Sequence, residues 1–450
     1  MTPPAAVRLG RRVFGAGTPL ADPAFRRMCV AHGVNVLGYW IYLTAVFTTM
    51  SVEFKAGPGQ IATFTALSTL PLILLAPFTG LVVDRLGAHG ALRVAYVGAA
   101  AVMLGATQVE TLGHFYLCAL GVVVVVSLLR PAVFGLLARL VPDDALGPAN
   151  GALAAAGEAG IVIGPLIAAL SIRVVGTRPS FFLAALALVS AALLISRVPA
   201  PVVLDTTPIV GWRARVRELA AGLRMLARDK PSLVSLVCIV ALFGFIGALF
   251  SVEPVLLERE LGVGQGSLGL VYAAAGTGSC LSALALSRRP MPLRPLPRIG
   301  IALALLGVST VGYSTSPNLL GAAAWSFVVG SCFGWVLAPS VTIVQRRAPS
   351  VVIGRVMAVV AIAQQASQGG AALLVGGLSG QSVRPPMAFT GLALVVIGGV
   401  VWLGCRRWVE PPPLAGSPAA GGLLGDDGVG LVDPDRAAEQ RVDPESTVPA

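Results

Sequence analysis

The chain has 450 residues, of which 56% are hydrophobic and only 12% are charged. Its mean hydropathy of +0.83 exceeds that of soluble domains, which are roughly 45–50% apolar. This composition excludes a chain of ordinary soluble domains. The formal net charge of +11 would suit a nucleic-acid-binding protein, but the positions of the basic residues explain it differently.

Long apolar runs recur along almost the whole chain. A bilayer core about 30 Å thick needs roughly 20 apolar residues per helix, and about twelve runs meet that need. They lie at 28–50, 61–83, 94–112, 115–138, 149–172, 180–198, 232–252, 267–287, 296–314, 319–344, 356–378 and 387–405. The pattern predicts an all-α membrane protein with about twelve transmembrane helices.

The basic residues are distributed unevenly between the connections of these runs. If the amino terminus is cytoplasmic, 24 of the 32 Lys and Arg residues lie on the cytoplasmic side and five lie outside. This bias is the positive-inside rule. We therefore expect a multi-pass protein of the bacterial inner (plasma) membrane with both termini in the cytoplasm. The basic charge reflects topology, and no nucleic-acid partner is predicted.

One long internal connection, at 199–231, divides the runs into six and six. It predicts an N-terminal half at 1–198 and a C-terminal half at 232–409. The tail at 410–450 is rich in Pro, Gly and acidic residues, which predicts a disordered cytoplasmic segment. Three positions recur at a constant offset of 207 residues, as expected of repeated halves: Pro142, Gly147 and Glu158 as Pro349, Gly354 and Gln365.

The connection between the halves contains the segment GWRARVRELAAGLRMLARD at 211–229. Its apolar residues recur at helical spacing, which predicts an amphipathic helix. Two interpretations remain open. The helix lies on the inner membrane surface with its arginines near anionic headgroups, or it is a solvated linker that only joins the halves.

A charged motif stands between the second and third runs, in GLVVDRLGAHG at 80–90. Gly80, Asp84, Arg85 and Gly87 resemble the signature of the major facilitator superfamily at this position. The resemblance implies a fold of two six-helix halves and a cytoplasmic charge cluster that latches them in the outward-facing state. Such contacts must exist in one arrangement only. The alternative is that the motif merely anchors the helix end.

Three further segments resemble the drug:proton antiporter branch that includes macrolide-efflux proteins and the enterobactin exporter. They are FRRMCVAHGVNVLGYWIY at 25–42, LLRPAVFGLLARLVPDDALGPANGAL at 128–153 and AAGLRMLARDKP at 220–231. Gly160, Gly164 and Pro165 also resemble the exporters' helix-five G-x-x-x-G-P element, which lets helices approach closely and bend. The resemblance implies export of a small molecule.

Two ionisable residues lie deep in predicted helices four and five. Arg130 and Glu158 are at similar depths, and the short turn between the helices predicts antiparallel neighbours. Charges at that depth are costly unless they are paired or face water. We therefore expect the two side chains to interact in the central cavity, either coupling proton movement to transport or locking the helices together.

Uncharged polar residues provide further cavity candidates. Gln364, Gln365 and Gln368 lie in helix eleven, where amides bind substrate or bond between helices, and Asn35 lies in helix one. Glu253 is followed by Pro254 at the end of the seventh run, and we expect it at the membrane interface.

The sequence has no nucleotide-binding GxxxxGK[ST] segment and no metal-binding spacing. We expect a non-enzymatic monomer without metal or cofactor, powered by a proton gradient, whose partners are a small-molecule substrate, protons and the lipid bilayer. The predicted function is proton-coupled efflux of a small amphipathic or hydrophobic drug or natural product. The alternatives are uptake or lipid movement by the same fold, and a non-transporting membrane sensor.

Overall fold

The computed structural model describes residues 19–141, 146–199, 212–263, 266–287, 294–348, 353–380 and 382–407. The regular secondary structure of these residues consists of helices. Twelve segments among them are long and apolar enough to cross a membrane. The predicted fold class is confirmed. The tail at 410–450 lies outside the described residues. We number the segments spans 1 to 12: Pro23–Glu53, Pro58–Ala76, Arg85–Gln108, Leu112–Leu137, Ala149–Val175, Thr177–Ser196, Lys230–Glu260, Ser267–Leu286, Pro295–Ser314, Leu319–Arg347, Ile353–Leu378 and Arg384–Cys405.

The α-helices do not coincide with the spans everywhere. Spans 1 and 7 end in π-helical turns, Thr49–Glu53 and Leu256–Glu260, and spans 2 and 4 are each broken into two helices. The α-helices are Pro23–Thr48, Pro58–Leu67, Pro71–Gly105, Leu112–Val126, Leu129–Leu140, Leu146–Val175, Thr177–Ser196, Trp212–Arg228, Lys230–Val255, Ser267–Ser287, Pro295–Ser314, Leu319–Arg347, Ile353–Leu378 and Arg384–Cys405.

Polar caps fix where several spans begin. Asp22 accepts a hydrogen bond from the Ala24 N–H at 2.6 Å, and proline follows it at the first helical position. Asn318 accepts from the Gly321 N–H at 2.9 Å at the start of span 10. Such caps satisfy backbone donors that a helix leaves open at its first turn.

The packing between spans repeats with an offset of six. We call spans 1–6 the N half and spans 7–12 the C half. Span 1 packs on span 5 as span 7 packs on span 11, and span 3 packs on span 6 as span 9 packs on span 12. Between the halves, span 2 contacts span 11 and span 8 contacts span 5. The order of packing is therefore the same in both halves.

The bundle has two faces. We call the face where span 1 begins and span 12 ends the proximal face, and the opposite one the distal face. The sequence predicts that the proximal face is cytoplasmic.

The helix Trp212–Arg228 covers proximal ends of the C half. A Cβ on Gly222 would come within 2.8 Å of the Arg355 carbonyl oxygen at the start of span 11. Leu226 is fully buried in a cluster with residues of spans 7, 10 and 11, whereas Leu223, on the predicted apolar face, is exposed. The helix is therefore not a freely solvated linker, because part of its apolar side packs on protein.

An ion pair joins the start of span 7 to the end of span 10. Arg347 donates from Nε and Nη2 to the two Asp229 carboxylate oxygens at 2.7 and 2.6 Å. Asp229 also accepts from the Ser232 N–H at 3.1 Å. Burial raises the pKa of Asp229, but the hydrogen bonds from Arg347 and Ser232 outweigh this effect and leave the pKa below its ordinary value.

We expect Asp229→Asn to lower the free energy of unfolding by about 1–3 kcal/mol at neutral pH. Asparagine keeps the helix cap but loses the charge that Arg347 binds. Because the folded-state pKa is depressed, the stabilisation is present above the ordinary carboxyl pKa and is lost as pH falls through the folded value. Thermal melting in detergent from pH 7 to about pH 3 measures the effect.

The control is Glu110→Gln, because Glu110 is an exposed carboxylate with no ion pair among the described residues, and exposed charges of this kind contribute little. Its melting temperature should match the wild type. A gap between wild type and Asp229→Asn that stays constant on acidification would contradict the interpretation.

Candidate functional site

The charged motif lies at a break between spans 2 and 3. A continuous helical segment runs from Pro71 to Gly105, but Gly87 interrupts it with φ 68° and ψ 155°. This backbone conformation favours glycine, which explains the glycine of the motif at that point. Gly80 and Asp84 lie in the helix. The contacts of Gly80 and of the Asp84 side chain are outside the described part of the structure. The latch role therefore stays a prediction.

Residues around the motif point in different directions. Arg85 and Arg93 are exposed. The His89 Nε2 atom lies 2.8 Å from the Ile195 carbonyl oxygen at the end of span 6. His89 thus joins two spans of the same half.

The small residues of span 5 allow close packing against span 1. A Cβ on Gly160 would lie 2.7 Å from the Leu37 backbone nitrogen, and one on Gly164 would lie 2.8 Å from the Leu37 carbonyl oxygen. Side chains at either glycine would separate the helices. Pro165 follows inside the same helix. The predicted exporter-like element therefore lies at the contact between spans 1 and 5.

Among the residues that the structure describes, Arg130 and Glu158 do not form the predicted ion pair. Arg130 is exposed, whereas Glu158 is half-buried and its Oε2 atom is shielded from solvent without a partner in the described part of the chain. Two features of the fold explain why the prediction is wrong. Span 5 packs mainly on span 1 and span 8 rather than along span 4, and span 4 breaks at 127–128, just before Arg130.

Glu253, which the sequence predicts at the membrane interface, is buried among protein side chains. Span 7 continues through a π-helical turn to Glu260, so Glu253 lies seven residues inside the observed end. It is only 1% exposed, and Oε1 accepts a hydrogen bond from the Tyr313 hydroxyl at 2.8 Å. Oε2 has no partner among the described residues, and neither has the nearby hydroxyl of Tyr272.

The side-chain amides predicted to line the cavity form no hydrogen bonds with the described residues. Gln364, Gln365 and Gln368 are half-buried in span 11, and Asn35 is 8% exposed in span 1. None of these four forms a side-chain hydrogen bond within the residues that the structure describes. Their amide groups are therefore available to water or to a bound molecule.

Aromatic rings close the space between the halves toward the distal face. The Trp40 ring in span 1 meets Phe250 of span 7 and Tyr272 of span 8, with centroids 6.3 and 5.7 Å apart. Phe47 contacts the same Phe250 ring at 5.8 Å. Beyond them Arg259 donates to the carbonyl oxygen of Lys55 at 2.5 Å, which is also a contact between the halves.

Small residues form further contacts between the halves near the distal face. We call the contacts of span 5 with span 8 and of span 2 with span 11 the distal seam. A Cβ on Gly269 would overlap the Pro165 carbonyl oxygen and come within 2.6 Å of the Ala169 Cβ. In span 11, a Cβ on Gly376 would come within 2.8 Å of the Pro58 carbonyl oxygen. The backbones of the two halves therefore touch directly.

The buried core reflects the same arrangement. The largest cluster of buried apolar residues contains most of the N-half core together with distal residues of the C half, such as Val255, Val271 and Tyr313. Two smaller clusters occupy the remainder of the C half and the proximal end beside the linker helix. The two halves thus share a core near the distal face.

Two repeated half-bundles that meet in this way are an architecture of membrane transporters. The family model described as Major Facilitator Superfamily matches residues 28–372, and the chain belongs to this superfamily. A curated relative is the uncharacterized MFS-type transporter YfiS of Bacillus subtilis (strain 168), 25% identical over 404 residues that cover 86% of this chain and 95% of YfiS.

Solved transporters share the fold. A bacterial homolog to the human lysosomal transporter Spinster, in an inward-facing and unoccupied conformation, aligns with a TM-score of 0.68 and 14% identity over 86% of this chain and 98% of that one. The nucleoside transporter NupG aligns with a TM-score of 0.68 and 12% identity, over 85% of this chain and 99% of NupG. A POT family transporter in complex with 5-aminolevulinic acid aligns with a TM-score of 0.68 and 12% identity, over 89% of this chain and 99% of that transporter. At these identities the likeness shows the fold alone.

Proposed function

We propose that the chain is a proton-coupled exporter of small amphipathic or hydrophobic compounds that works by alternating access. The observation that carries this proposal is that two carboxyl groups inside the spans, Glu158 and Glu253, each have one buried oxygen without a hydrogen-bond partner in the described residues. A third such oxygen, on Glu258 in the last turn of span 7, lies 3.8 Å from Arg259 and so has a charge partner. An ionised carboxylate at such depth costs several kcal/mol. Its protonation therefore changes when water reaches it, which links a proton to a conformational change.

Glu158 is the better placed of the two for coupling. It lies nine residues inside span 5 from Ala149, about a third of the way along the span. It is next to Gly157, where an added Cβ would lie 3.3 Å from Nε2 of His32 in span 1. Movement of span 5 relative to span 8 would change access to this carboxyl group. Glu253 lies nearer the distal face, beneath the Arg259 contact.

The contacts of the distal seam support an inward-facing state, with the distal face as the outer one. The Spinster homolog of similar fold was solved in a conformation of that name. In the opposite state, spans 5 and 8 separate and the charged motif with Asp84 and Arg85 latches the proximal ends of the halves. The protein would act as a monomer in the inner membrane with both termini cytoplasmic.

The available amides support an amphipathic substrate. Pockets that bind small molecules are mostly apolar with a few polar groups that orient the ligand. Asn35 and the three glutamines of span 11 provide such groups beside the rings of Trp40 and Tyr272. The export direction and the class of drug or natural product rest on the resemblance to the antiporter branch.

The test is transport in oriented vesicles under an imposed pH gradient, with a panel of macrolides, siderophores and dyes. In inside-out vesicles with an acidic interior, we expect a substrate to accumulate as protons leave, and a protonophore to abolish the accumulation. Vesicles without the protein are the control. Accumulation only in right-side-out vesicles would favour uptake or lipid movement. Absence of flux in both orientations would favour a membrane sensor.

A further inference from the structure

A basic groove of about 500 Å³ opens at the proximal face, where span 9 begins and span 12 ends. Three arginines line it, together with one tryptophan and one proline: Arg294, Arg298, Arg406, Trp402 and Pro297. Span 9 begins at Pro295 and span 12 ends at Cys405. The groove therefore lies at the level where the membrane-spanning segments meet water.

The arginines of the groove carry uncompensated charge. All three are exposed, and none forms an ion pair within the residues that the structure describes. Among the described residues, Arg294 donates a hydrogen bond to the Arg406 carbonyl oxygen alone, at 3.4 Å. Three guanidinium groups around one opening repel each other, and an anion between them removes that repulsion. Guanidinium groups match the geometry of phosphate oxygens by paired hydrogen bonds.

The groove exists because spans 9 and 12 pack very closely beneath it. A Cβ on Gly300 would lie 2.7 Å from the Trp402 backbone nitrogen, and one on Gly398 would lie 2.5 Å from the Ala304 nitrogen. Such close backbones leave their large terminal side chains to diverge around an opening. The Trp402 ring, 42% exposed, forms one wall at the depth where tryptophan prefers to lie in membranes.

Apolar side chains continue from the groove toward the distal face. Below Arg298, one face of span 9 exposes Ile301, Leu305 and Val308, each about half exposed. Their spacing of three to four residues makes a continuous stripe along the helix. Span 12 exposes Val396 and Val400 beside it. A ligand whose anionic group is bound by the arginines could therefore place hydrocarbon chains against the apolar side chains of these spans.

We propose that this groove binds the phosphate headgroup of an anionic phospholipid, whose acyl chains lie along spans 9 and 12. Charge, level in the membrane and the apolar stripe all fit a lipid rather than a soluble anion. Basic pockets between spans are recognised headgroup sites in membrane proteins. The site lies on the outer surface of the C half, so it is separate from the carboxyl groups of the proposed transport function.

The test uses the full chain purified in a neutral detergent, with lipid binding measured by native mass spectrometry. We expect phosphatidylglycerol to bind more tightly than phosphatidylcholine. We expect Arg298→Gln combined with Arg406→Gln to weaken phosphatidylglycerol binding about thirtyfold, since each basic group near an anionic lipid contributes roughly a factor of five. The control is Arg178→Gln, an exposed arginine at the distal start of span 6, which should leave binding unchanged.

A competition arm separates the two sources of phosphate. Inorganic phosphate at millimolar concentration should not displace phosphatidylglycerol from the wild type. Displacement by inorganic phosphate would overturn the lipid assignment in favour of a soluble anion. Equal binding of phosphatidylglycerol by the wild type and the double variant, with matching elution profiles, would overturn the site itself.

Discussion

Glu158→Gln abolishes gradient-driven accumulation of substrate, which we expect to fall to the level of vesicles without the protein. Glutamine has nearly the same shape but cannot gain or lose a proton. Since Oε2 of Glu158 has no partner in the described part of the chain, the substitution breaks no side-chain hydrogen bond at that atom and should leave folding intact. Accumulation under an imposed pH gradient, normalised to protein in the vesicles, measures the effect.

The matched control is Glu110→Gln. Glu110 is an exposed carboxylate between spans 3 and 4, and its replacement should leave transport at the wild-type level. Normal gradient-driven transport by Glu158→Gln would remove this residue from coupling. If Glu253→Gln then lost transport instead, the coupling group would lie at Glu253, hydrogen-bonded to Tyr313.

Gly269→Leu prevents the distal face from closing. The leucine side chain must occupy the space of the Pro165 carbonyl and of Ala169, which are contacts made only when spans 5 and 8 meet. Overpacking of this kind costs about 1–3 kcal/mol, which shifts the ratio of open to closed protein by roughly 5- to 150-fold. We expect substrate transport to fall by a similar factor.

Cross-linking between the distal ends of spans 1 and 7 reports the same shift directly. In a background without native cysteines, Lys55→Cys and Arg259→Cys should cross-link readily with a short bifunctional maleimide, and Gly269→Leu should suppress this reaction. Gly370→Leu is the control, because a Cβ at Gly370 meets nothing within 4 Å. Undiminished cross-linking and transport in Gly269→Leu would show that the seam does not separate during the cycle.

The sequence predicted the spans well because their signal is local. A helix in lipid must satisfy its own backbone hydrogen bonds, so length and apolar content suffice to locate it. All twelve predicted runs coincide with observed spans to within a few residues at most ends. The largest differences are at the start of span 3, predicted at 94 and observed at Arg85, and at the end of span 7, predicted at 252 and observed at Glu260. Span 7 extends further because charged residues in its last turn pair with neighbours such as Arg384.

The side-chain environment was harder to predict because it depends on contacts distant in sequence. The partner of Glu253 is Tyr313, sixty residues away, and no local pattern connects them. Arg130 and Glu158 looked like neighbours because their helices are consecutive, but span 5 uses its glycines to pack on span 1. The linker helix shows the same limit, since its periodicity predicted an apolar side without indicating what covers it.

The small residues of the distal seam have an energetic consequence for the transport cycle. Glycine, alanine and proline present little side-chain area, so separating these surfaces loses few dispersion contacts and exposes little apolar surface to water. The two end states of the rocking motion can therefore remain nearly isoenergetic. A single proton or one cargo molecule, each able to shift an equilibrium by a few kcal/mol, then suffices to choose the direction of each step.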